Sequence, residues 1–160
     1  MKKLLLALVV CVFPLTSVAS EYQKLGKWLI TKDVNKLTDK VDYFAVLSPE
    51  DGEGALVLRC VNNTTEAYLA TDEYLGNGDY TKVTFRIDKK NLITENWVMG
   101  GGNDSAFAPS PVKFIKRIYG KQNVIFGYKP YGKTQIIAEF KTDHINEIAK
   151  EISEACNWKL

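Results

Sequence analysis

The chain has 160 residues, and its 21 basic and 19 acidic side chains almost balance. This balance argues against a nucleic-acid-binding protein, which would carry a clear excess of Lys and Arg. One histidine and three cysteines are too few to predict a metal site. No cofactor-binding motif is present, so we expect neither a metal nor an organic cofactor.

The first segment has the pattern of a secretory signal peptide. Two lysines precede an apolar run, Leu4–Phe13, and small residues lead up to Ala19. About ten apolar residues are too few for a membrane span, which needs roughly 20. A lipoprotein is disfavoured because Cys11 lies inside the apolar run. We therefore expect residues 1–19 to be removed, residues 20–160 to form one domain, and the protein to reside in the periplasm.

Removal of this segment changes the remaining composition. Without its two lysines the chain carries 19 basic and 19 acidic side chains, so the slight basic excess belongs to the leader. Removal of the leader also removes Cys11, so Cys60 and Cys156 are the two cysteines that remain. Two cysteines in an exported domain most simply form a disulfide.

The first two thirds of the chain predict β-strands separated by turns. Residues 21–27 are polar and predict a lead-in, and residues 33–40 predict a loop or one helical turn. Pro49 and two glycines in 48–54 mark a turn between two strands, which predicts an antiparallel hairpin. The predicted strands are Trp28–Ile30, Val41–Leu47, Ala55–Cys60, Glu66–Ala70, Lys82–Asp88 and Asn91–Val98.

Two helices and a second hairpin follow. Ser110 as N-cap, Pro111 at the first helical position and Gly120 past the end predict a short helix. Two apolar segments around a Pro-Gly turn, 124–128 and 134–140, predict the hairpin. Thr142 or Asp143 is the expected cap of a final helix. Its apolar face comprises Ile145, Ile148, Ala149, Ile152, Ala155 and Cys156.

These elements predict an α+β domain. It would contain an antiparallel sheet, strongly bent or sandwich-like, and two helices. Cys156 lies on the apolar, sheet-facing side of the last helix, and Cys60 lies at the end of a core strand. A disulfide between them would tie the C-terminal helix to the sheet.

No catalytic set is evident in the sequence. The chain lacks a Gly-x-Ser-x-Gly nucleophile elbow, and His144 lies at a helix start, where a capping or solvated role is more common. Glu50, Asp51 and Glu53 cluster in a turn, which favours solvated carboxylates over an acid–base pair. We expect a protein that is not an enzyme.

A glycine-rich loop and several tyrosines are the candidate binding features. The three consecutive glycines could hold an anion through backbone N–H groups, but they lack the Lys-Ser/Thr of a phosphate-binding loop. We therefore assign the loop as a candidate interaction site, with the residues Gly100, Gly101, Gly102, Asn103 and Asp104. Tyrosines at strand edges and turns mark either a binding surface or the rim of a sheet; they are Tyr68, Tyr74, Tyr80, Tyr128 and Tyr131.

Several landmarks together resemble the VasI family of small exported proteins. The family is associated with type VI secretion clusters and has relatives in phages and prophages. The most specific landmarks are Arg59-Cys60 and the terminal Cys156-x-Trp158, and the resemblance extends from about Trp28 onward. After Trp97 the family tends to carry a serine-containing turn, where this chain has Met99 and three glycines. The other landmarks are Phe85-Arg86-Ile87-Asp88, Trp97, Tyr128-x-Pro130-x-Gly132 and Phe140.

The resemblance implies a periplasmic accessory protein that acts by protein–protein contacts with an unidentified envelope protein. An alternative is a prophage-encoded inhibitor or exclusion factor that blocks an envelope enzyme or an incoming phage. Such an inhibitor would present a protruding loop, either Met99–Ser105 or Glu50–Gly54. A hydrolase that uses Glu or Asp ranks last.

Overall fold

The computed structural model describes residues 22–160, so the expected signal peptide and its cleavage site lie outside the described residues. The described part contains ten strands and two helices. Their bounds are β1 Gln23–Leu25, β2 Trp28–Val34, β3 Val41–Leu47, β4 Ala55–Val61, β5 Thr64–Ala70, β6 Tyr80–Ile87, β7 Ile93–Met99, β8 Ser105–Phe107, α1 Pro111–Ile118, β9 Asn123–Tyr128, β10 Ile136–Lys141 and α2 Ile145–Ala155.

All ten strands belong to one open sheet with the order β1-β2-β3-β4-β5-β8-β7-β6-β9-β10. Every neighbouring pair is antiparallel, and both predicted hairpins, β3–β4 and β9–β10, are present. The predicted combination of an antiparallel sheet with two helices is therefore confirmed. The sheet makes up most of the domain, and it forms one continuous layer in place of the two layers of a sandwich.

The sheet curves far enough to bring the β3–β4 turn against β10. The backbone N–H of Glu50 donates to the Glu139 carbonyl at 2.6 Å, and the Glu139 N–H donates to the Asp51 carbonyl at 3.1 Å. These bonds form an isolated antiparallel bridge. The turn thus covers part of the free edge of β10, where open backbone groups would otherwise invite another strand.

Both helices pack on the same face of the sheet, which we call the inner face. Alternate residues of β6, Val83, Phe85 and Ile87, point to it as their spacing predicts, and all three are buried. Helix α2 contacts β3 and β4, and α1 contacts β5. The core is therefore enclosed between the two helices and the concave side of the sheet.

Two long-range links hold α2 in place at opposite ends. Cys156 forms the predicted disulfide with Cys60 of β4, with a Cα–Cα distance of 5.7 Å. At the start of the helix, the buried Trp28 indole Nε1 donates to the Asp143 carbonyl at 2.8 Å. The helix is thus attached to β2 at its start and to β4 at its end.

Two local expectations are corrected. Residues 23–25 form β1 because the turn at Gly26 folds them back onto β2, although their polar sequence predicted a lead-in. The N-cap of α2 is His144, in a left-handed conformation, and not Thr142 or Asp143. The Thr142 hydroxyl instead donates to the Lys121 carbonyl at 2.6 Å, so a tertiary contact takes the side chain that the capping rule would use.

Gly52 in the β3–β4 turn provides a stability test. Its φ is +94°, and a Cβ there would overlap the carbonyl oxygen of Ile137 on β10. Gly132 has a φ of +70° but nothing within 4 Å of its Cβ position. Gly132→Ala therefore measures backbone strain without a steric clash. We expect Gly132→Ala to cost about 1 kcal/mol and Gly52→Ala more than about 2 kcal/mol in urea unfolding. Equal losses would contradict the close approach of the turn to β10.

Candidate interaction surface

The outer face of the sheet, opposite the helices, carries a row of apolar and aromatic side chains. Cross-strand partners in an antiparallel sheet lie on the same face, so the register identifies the members of the row. Seven neighbouring strands each contribute one residue. In spatial order they are Leu29, Val46, Val57, Tyr68, Phe107, Val98 and Tyr80. We call this row the outer strip.

The outer strip is separate from the core. Val57 is only 5% exposed, yet it is not a member of the core cluster, because its burial comes from its neighbours on the outer face. With strands about 4.8 Å apart, seven strands span roughly 29 Å. A continuous apolar strip of this length on a sheet surface is a typical feature of an interaction site.

Arg59 stiffens the middle of the outer strip. Its guanidinium lies over the Phe44 ring at 5.7 Å and over the Tyr68 ring at 5.2 Å. Its Nε donates to the Glu66 carboxylate at 2.5 Å, so the positive charge is matched locally. The Tyr68 ring stacks on Phe107 with centroids 4.4 Å apart. The centre is therefore a fixed, nearly neutral aromatic platform.

The ends of the outer strip are more exposed than its centre. Leu29, Val98 and Tyr80 are 38%, 41% and 63% exposed. Lys24 pairs with Leu29 across the sheet, and Lys82 lies two residues from Tyr80 on the same face. Among residues 22–160 neither lysine forms an ion pair, so the strip has an apolar centre and cationic ends.

The candidate loop Gly100–Asp104 is a tight turn between β7 and β8. The Asn103 N–H donates to the Gly100 carbonyl at 2.9 Å, and the Gly100 N–H donates to the Ser105 carbonyl at 2.9 Å. The turn is also held to the 71–75 segment, since the carbonyls of Asn103 and Asp104 accept from Leu75 and Thr71 at 2.7 Å each. It is a hydrogen-bonded turn outside the regular strands, which is what a glycine-rich segment favours.

This turn adjoins the outer strip. A Cβ at Gly100 would overlap the Ser105 hydroxyl oxygen and lie 3.1 Å from the Phe107 ring, so the glycine leaves room for Ser105 and for a strip residue. Gly101 has no heavy atom within 4 Å of its Cβ position and stands in open space. The structure therefore places the predicted loop and the strip side by side, and a partner could contact both.

The five tyrosines fall into three groups. Tyr68 and Tyr80 belong to the outer strip, whereas Tyr128 is 2% exposed and belongs to the core. Tyr74 and Tyr131 contact each other edge to face at 6.0 Å on the neighbouring loops. The binding-surface interpretation thus fits the first and third groups, and Tyr128 is a structural residue.

Sequence reasoning missed the strip as a unit. The signal that could have found it was the second face of the strands, where Phe44, Val46, Val57 and Val98 stand at positions that usually carry polar side chains. Only the strand order brings these residues into line.

The polar candidates lie apart from one another. The His144 side chain is 42% exposed, with Nδ1 3.5 Å from the Glu147 carboxylate, and Glu50 and Asp51 are engaged through their backbones with β10. Within residues 22–160, no group of three or more His, Cys, Asp or Glu side chains is arranged to hold a metal ion. No helix in the same range is long and apolar enough to span a membrane.

Comparison of the chain with protein-family models, curated proteins and solved structures finds no match.

Proposed function

We propose that this protein is a periplasmic accessory or binding protein of the bacterial cell envelope, and that it acts by protein–protein contacts across the outer strip. The strip itself is the observation that supports the proposal. Single apolar residues are common on protein surfaces. A continuous apolar strip about 29 Å long, with Arg59 at its centre and lysines at its ends, is instead typical of a binding site. The leader pattern and the resemblance to type VI secretion-associated proteins support the location.

The charges and apolar residues of the strip indicate what kind of protein surface it would bind. Its centre carries no net charge, since Arg59 is paired with Glu66. Lys24 and Lys82 at the two ends favour carboxylates. The complementary surface is therefore a protein face with an apolar stripe bordered by Asp or Glu at its ends.

The alternative of a prophage-encoded inhibitor depends on a protruding loop. Both candidate loops are held by backbone hydrogen bonds, Glu50–Gly54 to β10 and Met99–Ser105 to the 71–75 segment. The strip forms a broad surface on the convex side of the sheet, which suits an accessory contact better than insertion into an enzyme cleft. We therefore keep the accessory role as the proposal.

A matched pair of substitutions tests the proposal. Val98→Asp places a charge in the strip, and Ile137→Asp places the same charge on β10, outside the strip but at similar exposure (41% and 53%). In pull-downs from periplasm, we expect a partner captured by the wild type to be retained by Ile137→Asp and reduced at least tenfold by Val98→Asp. Capture should persist in high salt because the centre of the contact is apolar.

Two results would contradict this assignment. The first is equal capture by Val98→Asp and wild type, which would place the contact elsewhere. The second is that no captured protein binds Ile137→Asp more strongly than Val98→Asp. Leu29→Asp, at the other end of the strip, should repeat the loss shown by Val98→Asp.

A further inference from the structure

The last turn of the chain, residues 156–158, is bound to the β4–β5 hairpin. We call these three residues the C-terminal turn. Each of them contacts one residue of the hairpin, through a disulfide in the first case and through side-chain hydrogen bonds in the other two. The three pairs are Cys156 with Cys60, Asn157 with Asn63 and Trp158 with Thr65. The end of the chain is therefore attached along the whole tip of the hairpin.

The hairpin residues held in this way lie directly behind the centre of the outer strip. Cys60 and Thr65 are cross-strand partners on the inner face. The next pair along the two strands is Arg59 and Glu66, and it faces the outer side because successive residues of a strand point to opposite faces. The ion pair of Arg59 and its two aromatic contacts thus lie one residue away from the positions that the C-terminal turn holds.

This part of the hairpin receives little support from the rest of the sheet. Strand β8 pairs with residues 68–70 of β5, so residues 64–66 have a strand partner within the described chain only in β4. Backbone hydrogen bonds near the end of a hairpin open more readily than those at the centre of a sheet. The side chains of Arg59 and Glu66 are 28% and 31% exposed, and an ion pair at this exposure contributes little order by itself.

Trp158 provides support on the side that β8 leaves uncovered. Its half-buried indole donates through Nε1 to the Thr65 hydroxyl at 2.8 Å. The Lys116 ammonium of α1 lies 5.7 Å from the centroid of the same ring, and α1 packs on β5. The indole therefore links α1 to the part of β5 that has a single strand partner.

We propose that Trp158, together with the Cys60–Cys156 disulfide, positions the aromatic platform around Arg59 at the centre of the outer strip. Its role in binding rests on the proposed function, whereas its effect on the platform is measurable without a partner. When the Trp158 contact is lost, residues 64–66 open more often, Glu66 separates from Arg59, and the guanidinium leaves the two rings. The strip then keeps its apolar side chains and loses the order of its centre.

Nuclear magnetic resonance of the Arg59 Nε–H group tests the proposal. The chain has three arginines, Arg59, Arg86 and Arg117, and Arg59→Lys identifies the signal of the first. We expect Trp158→Phe to speed the exchange of this proton with water about threefold to tenfold, because loss of one hydrogen bond makes opening more frequent by about this factor. The signal should also move toward that of the exposed Arg86, since the ring currents of its two aromatic neighbours diminish.

Trp28→Phe is the matched control. The Trp28 indole also donates at 2.8 Å, but to the Asp143 carbonyl at the other end of α2. Trp28 is fully buried, so its replacement costs stability without any contact to the β4–β5 hairpin, and Arg59 exchange should change by less than about twofold. Protection of the β6 backbone amides shows that each variant is folded. Equal Arg59 exchange in wild type and Trp158→Phe, or faster exchange in Trp28→Phe than in Trp158→Phe, would overturn the proposal.

Pull-downs from periplasm with the same variants separate this proposal from the proposed function. We expect Trp158→Phe to reduce capture of the partner about threefold to tenfold and Trp28→Phe to retain it. Faster Arg59 exchange with unchanged capture would support the positioning role of Trp158 and contradict the outer strip as the contact surface. Unchanged Arg59 exchange in Trp158→Phe, with capture still lost in Val98→Asp, would overturn the positioning role and leave the proposed function intact.

Discussion

Replacing Cys60 and Cys156 together by alanine is expected to lower the free energy of unfolding by about 4–5 kcal/mol. The disulfide joins residues 96 positions apart and so closes most of the domain into a loop. Its main effect is to restrict the unfolded chain, and the loop-entropy relation gives this magnitude for a loop of about 100 residues. Such a loss is a large share of the stability of an ordinary domain.

The native fold should survive this loss because other contacts hold the end of α2. The Trp158 indole donates to the Thr65 hydroxyl at 2.8 Å, and the Asn157 amide donates to the Asn63 side chain at 2.9 Å. Both contacts join the chain end to β5 or to the turn before it. The alanine variant should therefore fold with a lower urea midpoint and still show cooperative unfolding.

Urea unfolding of three samples provides the measurement: oxidised wild type, wild type with reductant, and the double alanine variant. We expect the second and third to unfold at similar, lower urea concentrations. The m-value should rise in both, since an unlinked chain exposes more surface when it unfolds. Coincident transitions for oxidised and reduced wild type would contradict a stabilising disulfide.

Much of the local structure could be predicted from sequence because neighbouring residues determine it. Residues 82–87 of β6 alternate between polar and apolar without interruption, and both predicted hairpins have their Pro and Gly residues in the connecting turns. The first helix is bracketed by Pro111 and Gly120, whose backbone preferences suit a helix start and stop. The disulfide followed from composition, since only two cysteines remain after the leader.

The strand order could not be predicted, because it depends on pairing between distant residues. Strand β8 has three residues, Ser105–Phe107, too few for a periodic pattern, yet it joins β5 to β7 and so connects the two halves of the sheet. Strand β1 forms because Gly26 allows a tight turn onto β2. Neither β1 nor β8 has an apolar pattern that would distinguish it from a loop in the sequence.

The same dependence explains what could be predicted of the candidate surface. The glycines at 100–102 were visible in the sequence, but their neighbours were not. Phe107 and Val98 face each other only because β8 inserts between β5 and β7. The outer strip is thus a product of topology. In the sequence its members are separate apolar residues on seven strands, and no local pattern links them.

Phe126→Ala is the second large effect that we expect, a loss of about 3–5 kcal/mol in the free energy of unfolding. Phe126 is fully buried on β9, and its ring centroid lies 5.7–6.0 Å from those of four other aromatic residues, Phe85, Trp97, Phe114 and Phe140. Truncation removes transfer free energy and leaves a cavity that four rigid rings cannot fill. Edge-to-face contacts with Trp97 and Phe140 would also be lost.

Ile125→Ala is the matched control on the same strand. Ile125 is half-buried on the outer face, so its truncation opens no cavity in the core, and we expect a loss below about 1.5 kcal/mol. Phe126→Leu should fall between the two because it keeps most of the buried volume. Urea unfolding of the three variants measures the order, and a similar cost for Ile125→Ala and Phe126→Ala would contradict the one-sided core.

The comparison with Val98→Asp connects this core to the proposed function. Val98 is 41% exposed on the outer face, so a charge there should change stability by less than about 1 kcal/mol while it disrupts a contact. Phe126→Ala should do the reverse: it weakens the fold but leaves the strip of the folded molecules intact. If the strip instead stabilises the monomer, Val98→Asp will lower the urea midpoint as Phe126→Ala does. If the strip binds a partner, Val98→Asp should reduce partner capture without a large loss of stability, and Phe126→Ala should reduce stability without a loss of capture by the folded protein.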